Sequence, residues 1–209
     1  MVSDKIDMNF RVHNLNHDQI IVITKGIMEI LNKQSFLPVP DIIDQSDKKE
    51  VKISGYMDSQ IMRIAEDELQ KRHLVFLLLK TDSDFSIGIL PHTDFSCTIG
   101  IPFDSESTIT ADQLKYLFIS LCKFLNPDIA LCYAWNAFSH IKREYFEWEQ
   151  RTPYFHFFKW LQYFGPKEFR LQGGEAIFQN PYIKAEKMGE GVFIQVGESP
   201  LDAHTPEGE

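Results

Sequence analysis

The residues able to do chemistry are few and scattered. His92 and Asp94 share the segment Pro91-His92-Thr93-Asp94, a spacing that could hold a metal ion or an oriented imidazole–carboxylate pair. Turn chemistry accounts for the same residues, because an Asp ahead of a strand commonly bonds its own backbone. His140 and Glu144 stand four apart with Glu147 nearby, and on a helix they would align an acid with a base. An ordinary surface i,i+4 pair has the same spacing. Trp148, Trp160 and Tyr163 could stack on a ligand, although aromatics at helical spacing usually face a core, and His156 within the same block reads as a packed core or rim histidine. Gly173-Gly174 reads as a tight turn, too short to cradle phosphate alone. The chain lacks G-x-G-x-x-G, G-x-x-x-x-G-K, G-x-S-x-G and H-E-x-x-H, which excludes the families built on those motifs. No catalytic, cofactor or metal residue is assigned.

Bulk properties narrow the partner class. A formal charge of −9 argues against nucleic acid, whose phosphates need a basic surface, and permits a basic protein partner. No apolar run approaches the roughly 18 residues of a membrane span. Met1-Val2-Ser3-Asp4-Lys5-Ile6-Asp7 is too polar for a signal peptide. Cys97, Cys122 and Cys132 each lie in an apolar pattern without C-x-x-C spacing, so they read as buried, reduced thiols of a cytoplasmic protein. At 209 residues and 44% apolar content the chain can build one domain, with 1–72 as an N-terminal subregion.

Hydrophobic periodicity supplies the elements that must position these residues. Asn16 and Gln19 open a helix carrying Ile20, Ile23, Ile27 and Ile30. Gln34 to Glu50 reads as a loop, Val51 to Tyr56 as a short strand, and the region from Asp58 or Ser59 to Arg72 as a second helix with Ile61, Ile64, Ala65 and Leu69 inward. Leu74–Leu79, then Phe85, Ile87 and Ile89, then Phe95 to Phe103 read as three strands of an antiparallel meander. Thr110-x-x-Gln113 caps a third helix that stops at Asn126-Pro127. Ile129, Leu131, Tyr133 and Trp135 mark a fourth strand. Thr152-Pro153 begins a fourth helix with Tyr154, Phe157, Phe158, Leu161 and Phe164 on its stripe, ended by Gly165-Pro166. The tail reads as strands over Glu175–Phe178, Ile183–Met188 and Val192–Val196, and Thr205-Pro206-Glu207 as a helix cap and first turn. The fold class expected is α+β, an antiparallel meander sheet with covering helices.

The meander carries a functional expectation. Between Thr81 and Leu114 the acidic residues are Asp82, Asp84, Asp94, Asp104, Glu106 and Asp112, with no Lys or Arg among them. Alternate connections of a meander lie at one end of the sheet. Asp82, Asp84, Asp104 and Glu106 are therefore expected to converge as a negative, partner-binding patch. A solvated acidic face is the ordinary alternative.

From Tyr145 to Phe164 half the residues are Phe, Tyr or Trp. The segments Trp160-Leu161-Gln162-Tyr163-Phe164-Gly165-Pro166, Gly173-Gly174-Glu175, and Gly191 to Glu198 with Pro200 resemble bacterial immunity proteins of polymorphic-toxin and type VI secretion systems. The resemblance covers about the last third of the chain. It implies a non-enzymatic role: stoichiometric binding and neutralisation of a cognate toxin, often a nuclease with a basic cleft. It transfers no toxin-contact residue, so Asp82, Asp84, Asp104 and Glu106 rest on the meander alone. The alternatives are a hydrolase using His92, Asp94, His140 or Glu144, and an assembly subunit whose aromatic block forms a permanent interface.

Overall fold

The computed structural model describes residues 4–44, 50–71, 77–81, 85–90, 95–103, 108–134, 159–181 and 183–200. In chain order the elements are β1 (Asp4–Val12), α1 (His17–Asn32), β2 (Ile42–Asp44), β3 (Glu50–Lys52), α2 (Ser59–Lys71), β4 (Leu77–Lys80), β5 (Ser86–Leu90) and β6 (Phe95–Phe103). There follow α3 (Ala111–Leu125), β7 (Ile129–Ala134), β8 (Leu161–Phe164), α4 (Pro166–Leu171), a 3-10 segment (Gly174–Gln179), β9 (Lys184–Met188) and β10 (Gly191–Gln195). The described strands form one sheet in the order β3-β2-β4-β5-β6-β1-β7-β8-β10-β9. Every pairing is antiparallel, and helices cover the sheet, so the fold is α+β.

The meander β4-β5-β6 forms as its alternation dictates, with Phe85, Ile87, Ile89, Phe95, Cys97, Ile99 and Ile101 all buried. Beside it lies an element absent from the sequence reading. β1 sits at the centre, paired with β6 on one side and β7 on the other. Its Ile6, Met8 and Phe10 are fully buried, and Lys5, Asp7, Asn9 and Arg11 alternate with them. The period of two is present in the residues. Central placement follows from pairing with strands about 90 and 120 residues downstream, which no local window contains.

Three helices cover the face to which Ile6, Met8 and Phe10 point. α1 has the capping box of Asn16 and Gln19, and α3 has that of Thr110 and Gln113. α3 ends at Asn126 in the left-handed region (φ 43). Its stripe Leu114, Leu117, Phe118, Leu121 and Leu125 is buried, each large apolar side chain contributing about 1.5–3 kcal/mol. Phe118 packs 5.5 Å from Phe10 and 6.2 Å from Phe193, joining helix, centre and far end of the sheet. The inward residues of α2 are those expected, Ile61, Ile64, Ala65 and Leu69.

Several expectations need correcting. The segment Gln34–Glu50 contains β2, and the strand expected over Val51–Tyr56 is reduced to β3. β4 starts at Leu77; residues 74–76 lie outside the described region. β7 is present, but its fully buried face is Ala130, Cys132 and Ala134, with Ile129, Leu131 and Tyr133 half-buried opposite. Leu161–Phe164 is a strand, not the end of a helix, and Gly165-Pro166 opens α4 with Pro166 in its first turn. All four β8 residues are buried, so the strand shows no alternation to separate it from a buried helix. Proline at a helix start leaves no hydrogen bond unmade, so Gly-Pro served as a beginning where it had read as a stop. Residues 151–158 lie outside the described region, as do 201–209. Glu175–Phe178 falls in the 3-10 segment, entered through Gly173 (φ 105) and Gly174 (φ 59), conformations that glycine adopts without penalty.

Candidate partner-binding surface

The four acidic residues Asp82, Asp84, Asp104 and Glu106 lie outside the described residues, but the strands that lead to them are well defined. Lys80 pairs with Ser86, Ser86 with Gly100, and Phe103 with Asp4. The β4–β5 connection and the chain leaving β6 therefore depart from one end of the sheet, the Phe103 end. Ala134 pairs with Ile6 and Leu161 with Cys132, so the chain also leaves β7 and enters β8 at that end.

His92 and Asp94 belong to the β5–β6 connection at the opposite end, where Leu90 pairs with Ser96. The connection bearing His140, Glu144 and Glu147 starts from Ala134, at the Phe103 end. Along β1 the two departures are six residues apart, from Ile6 opposite Ala134 to Val12 opposite Phe95, or about 20 Å. These five residues, with Trp148 and His156, lie outside the described region. Trp160 and Tyr163 are buried, and Tyr163 pairs across the strands with Ala130 and Phe193. No group of three His, Cys, Asp or Glu suited to a metal ion occurs among the described residues.

An ordered polar surface occupies the other face of the central strands. Over β5, β6, β1 and β7 no described helix packs on the side bearing Lys5, Asp7, Asn9 and Arg11. The 3-10 segment lies on this side only at the β9 edge, where Lys187 meets Glu175 (3.1 Å) and the Phe178 ring. Thr98 Oγ1 donates to Asn9 Oδ1 (2.7 Å), and Asn9 Nδ2 donates to the Tyr133 hydroxyl (3.2 Å). Three strands are thereby tied through one amide. Lys5 crosses β6 to donate to Ser86 Oγ (3.1 Å). Gly100 makes the crossing possible, because a Cβ there would lie 2.1 Å from Lys5 Cε. Arg11 is exposed.

Asp7 sits within this row. Burial raises its carboxyl above the usual carboxylate range, partly offset by the charge of Lys5. Its Oδ1 is buried and accepts no hydrogen bond. Burial also raises the Tyr133 phenol, with the Asp7 charge adding to the shift. Nearby, Lys159 is buried, with its ammonium 5.1 Å from the Tyr133 ring. This surface escaped the sequence reading because its residues come from four strands, and their meeting depends on where β1 inserts.

The three cysteines are free and buried. Burial pushes the Cys97 thiol up to about 12 and raises those of Cys122 and Cys132 well above the ordinary value. Among the described residues no helix is long and apolar enough to cross a membrane.

No protein family matches this chain, and no curated protein matches it. Among solved structures it resembles a type VI secretion system protein of Pseudomonas aeruginosa, with a TM-score of 0.59 at 14% identity over 98% of this chain and 68% of that one. At that identity the shared property is the fold.

Proposed function

We propose that the protein is an immunity-type binding protein that neutralises a cognate bacterial toxin by stoichiometric association in the cytoplasm. The observation that carries the reading is the fold likeness, over nearly the whole chain, to a type VI secretion system protein. It agrees with the immunity-protein resemblance of the C-terminal segments, which was drawn from sequence alone. The shared departure of the two acidic connections from the Phe103 end supports a basic partner, because like-signed loops gathered at one end steer an oppositely charged protein and speed encounter. A nuclease with a basic cleft has that chemistry.

Co-purification tests the reading. The tagged protein, expressed in its native host, is expected to retain one toxin-like protein in equimolar amount, and co-expression is expected to abolish that protein's toxicity. Recovery of nothing, or only of further copies of this chain, would overturn it.

A further inference from the structure

We propose that two copies of this chain join edge to edge through β3 as a two-fold dimer, with Glu50 of each copy opposite Lys52 of the other. The inference goes beyond the binding function of the preceding section and does not rest on it.

β3 ends the sheet, pairing among the described strands with β2 alone. The Ile53 amide donates to the Asp41 carbonyl (2.8 Å), which sets the phase of that ladder. Val51 therefore bonds inward to Ile43, while Glu50 and Lys52 turn their backbone N–H and C=O groups outward. Gln60 Nε2 reaches the Lys52 carbonyl on that outer side (3.1 Å), and the carbonyl keeps a second lone pair for another donor. Side chains leave the edge accessible. Glu50 is 60% exposed and Lys52 is exposed. Just beyond the strand, Val39 lies against Gly55, and Val39 and Met57 are 65% and 52% exposed.

Charge selects a second copy as the occupant. Lys80 pairs with both Asp44 (2.8 Å) and Glu50 (3.3 Å), a single cation between two carboxylates. Lys52 forms no ion pair among the described residues. The edge thus holds a carboxylate and an ammonium short of partners, two positions apart and so on the same side of the strand. Antiparallel pairing about Val51 sets each opposite the other in both copies, exchanges the outward backbone hydrogen bonds, and brings Val51 against Val51. Registers that join Glu50 to Glu50 or Lys52 to Lys52 place like charges opposite and are disfavoured. Charges that guard an edge repel a second strand, whereas these attract one in a single register. At the other edge, β9, the lysines are already matched within the chain, Lys184 by Glu198 and Lys187 by Glu175. None of the exposed large apolar side chains described lies on β9.

Sedimentation velocity of the full-length protein over a concentration series tests the dimer. The wild type is expected to pass from monomer to dimer as concentration rises. Lys52→Glu and Glu50→Lys each set like charges opposite, and each alone is expected to self-associate roughly 10-fold more weakly, or weaker still. Their equimolar mixture restores opposite charges at both positions and is expected to recover the dimer, which a folding defect in either variant could not do. Lys52→Pro removes an outward N–H, leaves the ladder to β2 intact, and is expected to stay monomeric. A wild type that remains monomeric up to its solubility limit would overturn the dimer. Undiminished self-association of the variants would place the contact elsewhere than β3, and a mixture no stronger than its components would reject the Glu50–Lys52 register; either result overturns the proposal. Toxin capture is read separately, by co-purification, so failure of the dimer leaves the binding function standing.

Discussion

At the residue scale, side chains that satisfy backbone or bury charge give the sharpest predictions. Thr110 accepts the Gln113 amide hydrogen while Gln113 accepts that of Thr110, closing the start of α3. Thr110→Ala is expected to cost about 1 kcal/mol in urea denaturation. Asp7 works in the opposite direction. A carboxyl whose folded pKa lies above its unfolded value favours the folded state while protonated, and that contribution fades as pH rises through the folded value. Ionised Asp7 therefore destabilises the fold at neutral pH. Asp7→Asn is expected to raise the Tm at pH 7 and to raise it less at pH 4; a larger gain at pH 4 would contradict the burial argument. The three buried thiols should react with a water-soluble disulfide reagent only after denaturant opens the core, read as a lag in thiolate release. Their burial was legible in sequence, since each stands at an apolar position of its helix or strand. The network of Asn9, Thr98 and Tyr133 was not, because its members lie 89 and 124 residues apart.

At the scale of elements, a local signal succeeded where it was both periodic and capped. α1 and α3 carry apolar stripes bounded by capping boxes, and the structure reproduces both. β8 failed that test because burial on both faces erases alternation. β1 is a different case: its alternation was visible, but nothing local announced a strand at the centre of the sheet. Met8, fully buried there, is expected to cost about 2–5 kcal/mol when changed to Ala. Deletion of residues 1–12 should abolish cooperative unfolding altogether, measured by far-UV dichroism, since β6 and β7 would lose their shared partner. Gly191 tests the other end of the sheet. A Cβ there would stand 2.4 Å from the Phe164 carbonyl oxygen, so Gly191→Ala should force β10 from β8 and cost about 1–3 kcal/mol by overpacking.

At the scale of the whole molecule, the proposed binding function makes the distribution of charge the property to test. Under the proposed binding function, reversing Asp82, Asp84, Asp104 and Glu106 together is expected to slow partner association and flatten its salt dependence, because charges in water act over about one Debye length, roughly 8–10 Å at ordinary ionic strength. Neutralisation that survives this reversal intact would remove the acidic connections from the interface. Alternation, capping boxes and turn residues by themselves determined the α+β class, the meander and the two capped helices, because each is a local free-energy preference expressed within about fifteen residues. Turn and strand order also determined that the two acidic connections leave one end of the sheet. Tertiary structure alone decided that β1 divides β6 from β7, that β8 is a strand, and that Lys5, Asn9 and Arg11 share one face of the sheet with Thr98 and Tyr133. Those outcomes depend on pairing between distant segments, whose energy appears only when the chain has closed around its core.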